Sequence, residues 1–332
     1  MIKIIILICI LCSTISQRHS RSEPGEHAMD LPVSVDLQKD IKGNSYYDPK
    51  DITSSLNNVF KHKNLDLRVL KTVAVDGKFQ IEGPTRTTSR TYVYKFAVLN
   101  EEKLKTIHSD LYHTNIEDCS SIRLLPVHDQ PFITELKTSF DPVKAEECLS
   151  LFEGYNNFYP LAPQEARKHR WKNTDGSYNI KDYYFGPQDF DKEIKSISLS
   201  KLQPRNMGPI PVYDLFDFYQ INITGPSFFR FQIRRMVALM IAVASNKMDL
   251  EFVSEMLDDP STKWPSWLEM PEANGLYLAE VKYPKTFFKG ATDEVSKLPL
   301  AKTWKNQFFK QINWSEMDKK NVIEPVVIMN IK

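Results

Sequence analysis

The stretch from Ser20 to Ala28, SRSEPGEHA, places an arginine, a carboxylate and a histidine around a Pro-Gly pair. Carboxylates and imidazoles can accept and donate protons, and a carboxylate can also act as a nucleophile. Because Pro-Gly favours a tight turn, Arg21, Glu23 and His27 are candidates for a shared site. On its own, a polar turn of this kind is more often a solvated surface loop.

A second cluster, EARKHRWK, surrounds one tryptophan with basic side chains. Lysine and arginine neutralise phosphates, and an indole ring can stack on a base. The candidate contacts to a nucleic acid are Arg167, Lys168, Arg170 and Trp171, although a solvated charged loop explains them equally well. The 43 Lys and Arg residues nearly balance the 42 Asp and Glu residues, so any basic surface is local.

The elements that must position these residues alternate between strands and helices. Alternating apolar residues predict strands in NLDLRVLKTVAV, RTYVYKFAVL, FDFYQINI and, after a turn, NGLYLAEVKYP. Helices are predicted in DPVKAEECLSLFEGY, in SFFRFQIRRMVALMIAVAS with Ser227 as its N-cap, and in DLEFVSEMLDD. Residues 163–190 are polar, charged and aromatic, which predicts a loop or an insertion.

Length and composition allow a sizeable core. The chain has 332 residues, of which 42% are hydrophobic, enough for two modest domains or one large one. No GxGxxG or Walker loop is present, so the sequence gives no support for a nucleotide cofactor. Cys9 and Cys12 form a CxxC pair inside an apolar run without a second ligand pair, which favours packing over a metal site.

The first residues, MIKIIILICILCSTISQ, have one lysine, an apolar run and then small polar residues. This is the pattern of a secretory signal peptide, and the run is short for a membrane span. The alternatives are a buried strand, or a start that does not belong to the functional protein. No other segment of the sequence is apolar enough to span a bilayer.

Four motifs occur together in an order that resembles the TruA family of tRNA pseudouridine synthases, in its eukaryotic pseudouridine synthase-like branch. They are SRSEPGEHAMDLPVSVDL, SRTYVYKF, LFEGYNNF, and INITGPSFFRFQIRRMVALMIAVAS followed by GLYLAEVKYP. The resemblance covers roughly residues 20–284. It implies an α+β fold in which two α/β subdomains with mixed or antiparallel sheets form a central RNA-binding cleft.

The same resemblance suggests a domain division. Residues 1–19 form the apolar N-terminal segment, 20–105 an incomplete N-terminal subdomain, 106–285 the C-terminal subdomain, and 286–332 a variable tail. It also implies that tRNA is the partner, that a homodimer can form, that the protein is intracellular, and that neither a metal nor an organic cofactor is required.

Three catalytic positions follow from the resemblance: Glu23, where the family carries Asp, Tyr92 and Arg234. In the family the carboxylate attacks the uridine or takes a proton from the sugar, the aromatic ring stacks on the flipped base, and the arginine orients the carboxylate. The predicted RNA-binding residues are Arg21, His27, Arg90, Arg167, Lys168, Arg170, Trp171, Arg230 and Arg235.

Three functions remain open from the sequence. The first is an active tRNA pseudouridine synthase that tolerates Glu23. The second is a catalytically impaired relative that still binds RNA, because Glu is one methylene longer than the usual Asp and about 1 Å matters in a preorganised site. The third, which a genuine signal peptide would require, is a secreted interaction protein.

Overall fold

A computed structural model describes residues 2–10, 24–37, 48–75, 87–100, 102–103, 123–163, 168–172, 178–184, 190–203 and 211–283. The chain divides into two compact units. The first comprises Met1–Tyr92 and Tyr277–Lys332, and the second comprises Val93–Leu276. Strands and helices occur in both units, and the pairing is partly parallel and partly antiparallel, which confirms the predicted α+β class with mixed sheets.

In its described residues, the first unit is a sheet covered by one helix. Its elements are β1 (Ile2–Ile10), β2 (His27–Leu37), α1 (Pro49–His62), β3 (Leu67–Val75) and β12 (Leu276–Lys282), the last continuing from the second unit. The strand order is β12–β2–β1–β3. β12 runs parallel to β2, whereas β1 is antiparallel to both of its neighbours.

The apolar N-terminal run forms the inner strand β1. Its residues pair with β2 from Ile2 opposite Leu37 to Ile10 opposite Ala28, and with β3 along its other edge. Of the interpretations left open for this run, the strand is the one that agrees with this pairing. Without β1, the backbone groups of β2 and β3 that face it would lose their partners.

Helix α1 packs on β3 through apolar and amide contacts. Ile52, Leu56 and Phe60 are buried along one face of the helix. The Asn57 side chain binds both backbone groups of Val69, donating to its carbonyl at 2.9 Å and accepting from its N–H at 2.7 Å. The amide therefore satisfies the backbone of β3 as a neighbouring strand would.

The second unit begins within β4 (Ser89–Leu99). Its further elements are β5 (Thr134–Leu136), α2 (Pro142–Leu151), β6 (Gly154–Asn157), β7 (Lys168–Lys172), β8 (Tyr178–Tyr184), β9 (Asp191–Ile194), β10 (Ser196–Leu202), β11 (Phe216–Gly225), α3 (Gln232–Ala244) and α4 (Leu250–Asp258). β10, β11 and β4 form its sheet, and β5 pairs parallel with β4. The predicted strands in β3, β4, β11 and β12 and the three predicted helices are confirmed.

Two local predictions are wrong. Ser227 does not cap α3, because the helix begins at Gln232 after Phe231, which adopts a left-handed conformation and supplies no side-chain cap. Within residues 163–190, the described parts are not simply a loop, because β7 and β8 form a two-stranded antiparallel ribbon that pairs Lys168 with Tyr184 and Trp171 with Asn179. Cross-strand pairing overrode a sequence that lacks a clean two-residue alternation.

Within the described ranges, none of the helices has the length and apolar character needed to cross a membrane. Nor do the described side chains bring three or more His, Cys, Asp or Glu residues together as a metal site would require.

The pairing of β1 predicts that Ile6→Pro will unfold or strongly destabilise the protein. Proline has no N–H and is poorly tolerated in an inner strand, and each buried backbone group left unpaired costs about 1–3 kcal/mol. We expect the thermal midpoint to fall by on the order of 5 °C or more, measured by circular dichroism. Intact mass spectrometry verifies that residues 1–10 are present.

The matched control is Ile6→Val, which keeps the backbone N–H and β-branching and is expected to leave the midpoint nearly unchanged. An Ile6→Pro chain that retains residues 1–10 and melts like the unmodified protein would show that this run is not an inner strand.

Candidate active site and RNA-binding residues

Three arginines lie at the start of α3: Arg230 just before the helix, and Arg234 and Arg235 in its first turn. Phe231 has φ 65° and ψ 0°, a left-handed conformation that a bulky residue rarely adopts. The Arg230 and Arg234 guanidinium carbons lie 4.3 Å and 5.8 Å from the centroid of its ring. Gln232, fully buried, accepts a hydrogen bond from the Phe229 N–H at 3.1 Å, which holds the turn before the helix.

Arg234 is fixed by one backbone carbonyl. Its Nε and Nη2 both donate to the Pro271 carbonyl oxygen, at 3.0 Å and 2.8 Å. Two donors on one acceptor define both the position and the plane of the guanidinium, which is itself half-buried. The hydrogen bonds of Arg234 within the described part of the chain use these two nitrogens, so Nη1 remains for another acceptor.

Residues 271–275, which we call the carbonyl segment, are themselves held by buried groups of the second unit. The Tyr94 hydroxyl donates to the Glu272 carbonyl at 2.7 Å and lies 2.8 Å from Thr134 Oγ1. Thr134 in turn lies 2.8 Å from Asn274 Oδ1, whose amide nitrogen donates to the Gln130 carbonyl at 2.6 Å. Burial is the main cause that raises the pKa of Tyr94 well above its usual value.

Gly275 permits this close fit. A Cβ at this position would lie 2.5 Å from the Lys95 carbonyl oxygen and 2.7 Å from Thr134 Oγ1, both closer than real Cβ contacts. The carbonyl segment therefore packs directly on β4 and β5, and only glycine fits there.

Arg235 points to different partners from Arg234. Its Nη1 donates to the Leu161 carbonyl at 2.9 Å, and its guanidinium carbon lies 4.7 Å from the Trp264 ring centroid. Leu161 is fully buried. These contacts give Arg235 a role in packing within the second unit, and its predicted contact with RNA stays a prediction.

In the first unit, Tyr92 is half-buried near charged groups of both signs. Burial raises the pKa of Tyr92 to about 12, while Arg90 acts to lower it and Glu26 to raise it. The phenol is therefore neutral at physiological pH, so it can stack or donate a hydrogen bond but cannot serve as a base.

His27 begins β2 and is almost completely buried, at 2% exposure. Its ring stacks on Tyr277, with centroids 4.6 Å apart and an interplanar angle of 26°. This contact joins the two parallel strands β2 and β12, and the predicted role of His27 in RNA binding stays a prediction.

Arg21, Glu23 and Arg167 lie outside the described residues. Lys168, Arg170 and Trp171 belong to the β7–β8 ribbon, where the structure describes the backbone. The structure therefore groups Arg230, Arg234 and Arg235 at the start of α3 and, separately, Arg90 with Tyr92.

Comparison with known proteins points to one family. Residues 180–284, which include α3 and the carbonyl segment, match the family model described as tRNA pseudouridine synthase. The mouse protein named tRNA pseudouridine synthase-like 1 is 24% identical over 269 residues, which cover 80% of this chain and 76% of the relative. Its human counterpart is 21% identical over 267 residues, covering 80% and 73%.

A bacterial relative extends the match. The protein named tRNA pseudouridine synthase A from Paraburkholderia xenovorans is 23% identical over 147 residues, which cover 44% of this chain and 53% of the relative. The chain is thus similar to tRNA pseudouridine synthases over its matched residues. Among the residues that the TruA resemblance made candidates, Arg230, Arg234 and Arg235 lie inside the segment that the family model matches.

Sequence reasoning missed the groups that hold Arg234. Its acceptor is a backbone carbonyl, which carries no residue-type signal, and Tyr94 was one more apolar position on a predicted strand. One signal was available, since the motif GLYL is preceded by MPEAN, and a proline followed by an Asn-Gly pair indicates a defined turn.

We predict that Arg235 and Trp264 are energetically coupled. A double-mutant cycle with Arg235→Met and Trp264→Leu, measured by urea unfolding, should give a coupling free energy on the order of 0.5–2 kcal/mol. Either single substitution already removes the cation–π contact, so the second substitution cannot remove it again. Arg230→Met with Trp264→Leu is the control pair, since Arg230 contacts Phe231 instead. Additive effects in the Arg235 cycle would contradict a packing role for Arg235.

Proposed function

We propose that this chain isomerises uridine to pseudouridine in tRNA. The observation that carries the proposal is that Arg234 donates two hydrogen bonds to the Pro271 carbonyl, inside the segment that the family model matches. Arginine at this place in α3 is the family's catalytic position by resemblance. Further support comes from relatives of two kinds, animal and bacterial, whose names state tRNA pseudouridine synthase.

The reaction rearranges the substrate without redox change. The bond from the sugar carbon C1′ to the base nitrogen N1 breaks, and a bond from C1′ to C5 forms. The hydrogen at C5 leaves as a proton, and N1 gains a proton. Atoms and electrons balance within the nucleotide, so protein side chains can supply all the acid, base and nucleophilic chemistry.

Each proposed catalytic residue has a distinct task. The Glu23 carboxylate acts either as the nucleophile on the uridine or as the base that takes a sugar proton. Tyr92 offers a neutral ring on which the flipped base stacks, consistent with its raised pKa and partial exposure. Arg234 orients the carboxylate and keeps it ionised.

The finer parts of the proposal concern partners and place. The arginines around α3 and the β7–β8 ribbon are proposed to contact tRNA phosphates and bases. A homodimer and an intracellular location are proposed from the TruA resemblance. Light scattering during size-exclusion chromatography would test the homodimer. Microscopy of the tagged full chain would test the intracellular location.

A second candidate function rests on Glu23. The family carries Asp at this position, and the extra methylene displaces the carboxylate by about 1 Å, which can cost on the order of 100-fold in rate. Such a chain would bind tRNA and turn it over slowly or not at all.

The decisive experiment follows tritium release from C5-labelled uridine in total tRNA, with chemical mapping of the product. We expect the unmodified chain to form pseudouridine, and Glu23→Gln to lower the rate by about 10³-fold or more, because an amide cannot replace the carboxylate. Glu23→Asp is expected to be at least as active as the unmodified chain.

The control is Glu26→Gln, which removes a carboxylate three residues away and should change the rate by no more than about threefold. If only Glu23→Asp is active, the chain is an impaired relative with an intact site. If no variant is active while tRNA still binds, the proposed reaction is wrong.

Tyr92 gives a separate prediction about stacking. Tyr92→Leu should lower the rate on the order of 10- to 100-fold, because base–aromatic stacking is worth about 1–3 kcal/mol. Tyr92→Phe keeps the ring and should lose no more than several-fold. Since the pKa of Tyr92 lies near 12, the rates of the unmodified chain and Tyr92→Phe should show the same pH profile between about pH 6 and about pH 9.

An extra inflection that Tyr92→Phe removes would show that the phenol ionises during the reaction. Equal rates for Tyr92→Leu and Tyr92→Phe would remove the stacking role.

A further inference from the structure

Tyr94 lies on β4, buried and without any predicted role, yet its hydroxyl meets the residue next to the acceptor of Arg234. The hydroxyl donates to the Glu272 carbonyl, and the preceding carbonyl, that of Pro271, receives both bonds from Arg234. We propose that Tyr94 is a positioning residue that sets the Arg234 guanidinium through the carbonyl segment. The inference rests on the proposed catalytic role of Arg234.

The hydrogens available in this cluster show why Tyr94 is the decisive member. The Tyr94 hydroxyl contacts the Glu272 carbonyl and Thr134 Oγ1, and Thr134 Oγ1 also contacts Asn274 Oδ1, each at 2.7–2.8 Å. These three contacts share only two hydroxyl hydrogens, one from Tyr94 and one from Thr134. The Asn274 amide nitrogen faces the Gln130 and Ile133 carbonyls, so its Oδ1 can only accept. Of this cluster, Tyr94 alone can donate to the Glu272 carbonyl, which leaves the Thr134 hydrogen for Asn274 or for Tyr94.

The groups around the hydrogen bond from Tyr94 to the Glu272 carbonyl hold the carbonyl segment in place. Tyr94 has 0% exposure and Thr134 2%, so water does not replace the hydroxyl easily. The Gly275 backbone lies against the Tyr94 ring and the Lys95 carbonyl, which anchors one end of the carbonyl segment. On the outer side, Glu272 forms an ion pair with Arg123 across half-exposed side chains.

Arg234 depends on this anchor because it has one acceptor in the described part of the chain. If the carbonyl segment shifts, both of its hydrogen bonds shift together, and the guanidinium plane rotates with them. A group that acts by orientation loses efficiency with a displacement of about 1 Å. Loss of the Tyr94 hydroxyl should therefore slow the reaction without weakening tRNA binding.

The test compares Tyr94→Phe with Tyr213→Phe in the full chain. Tyr213 is a matched control, since it is also buried, at 9% exposure, and donates to Asp129 at 2.5 Å, with no contact to Arg234 among its described partners. We expect Tyr94→Phe to lower kcat about 10-fold with KM for tRNA unchanged, and Tyr213→Phe to change kcat less than about twofold. Equal kcat losses for the two variants would overturn the proposal.

A second comparison places the effect on Arg234. In an Arg234→Lys background, Tyr94→Phe should change kcat by less than about twofold, because the guanidinium that makes the two hydrogen bonds to Pro271 is already absent. A full 10-fold loss in that background would mean that Tyr94 acts elsewhere. If Tyr94→Phe fails to fold, Thr134→Val removes the hydroxyl that donates to Asn274 in the carbonyl segment. This loss should lower kcat several-fold, and an unchanged kcat would count against the proposal.

A readout without activity separates this inference from the proposed function. In a chain labelled with ¹⁵N-arginine, the Arg234 Nε–H resonance is assigned by its loss in Arg234→Lys. Its exchange with solvent should accelerate about 10-fold in Tyr94→Phe and stay unchanged in Tyr213→Phe. If the unmodified chain forms no pseudouridine, the proposed function fails, but unchanged exchange in Tyr94→Phe is still needed to reject the positioning role.

Discussion

The burial of α3 is the constraint on which the second unit depends. Ten of its 13 residues are buried, and each large apolar side chain among them contributes about 1.5–3 kcal/mol relative to exposure. A helix so fully enclosed can carry charged groups only where its first turn reaches partners outside the apolar core. Arg234 and Arg235 occupy that turn, and each donates to a carbonyl from a distant part of the unit. Each guanidinium is therefore tied to the backbone of another segment of the unit.

The conformation and the charges at the start of α3 lower the stability of the helix, which indicates that these residues are kept for another reason. Phe231 in the left-handed region costs about 1–3 kcal/mol, and the turn has no side-chain cap. Arginines near a helix N-terminus oppose the macrodipole by about 0.3–1 kcal/mol each. Stability alone would select an Asp or Ser cap and acidic residues here. Local rules broken together at one turn are typical of a functional site, which fits the proposed role of Arg234.

The sequence was a good guide wherever one side of an element is apolar. Strand β11 and helix α4 show their burial in the spacing of their residues, and four motifs in order resemble the TruA family. Two kinds of feature were inaccessible. The start of α3 depends on a left-handed Phe231, for which glycine would be the usual signal. The β7–β8 ribbon depends on cross-strand pairing of Lys168 with Tyr184 and of Trp171 with Asn179.

The candidate site also contains one part that the sequence predicted and one that it did not, and two tyrosines of β4 show the reason. Tyr92 and Tyr94 are two residues apart, and the sequence offers no reason to separate them beyond the motif. Both phenols are kept neutral by burial. The difference lies in what surrounds them. The Tyr94 hydroxyl meets a threonine and a backbone carbonyl in the interior, whereas Tyr92 is a partly exposed residue near Arg90 and Glu26. A ring that must stack on a base needs an open face, and a hydroxyl that must hold a carbonyl needs a closed one. One strand thus supplies the proposed surface for the substrate and the proposed support for the arginine.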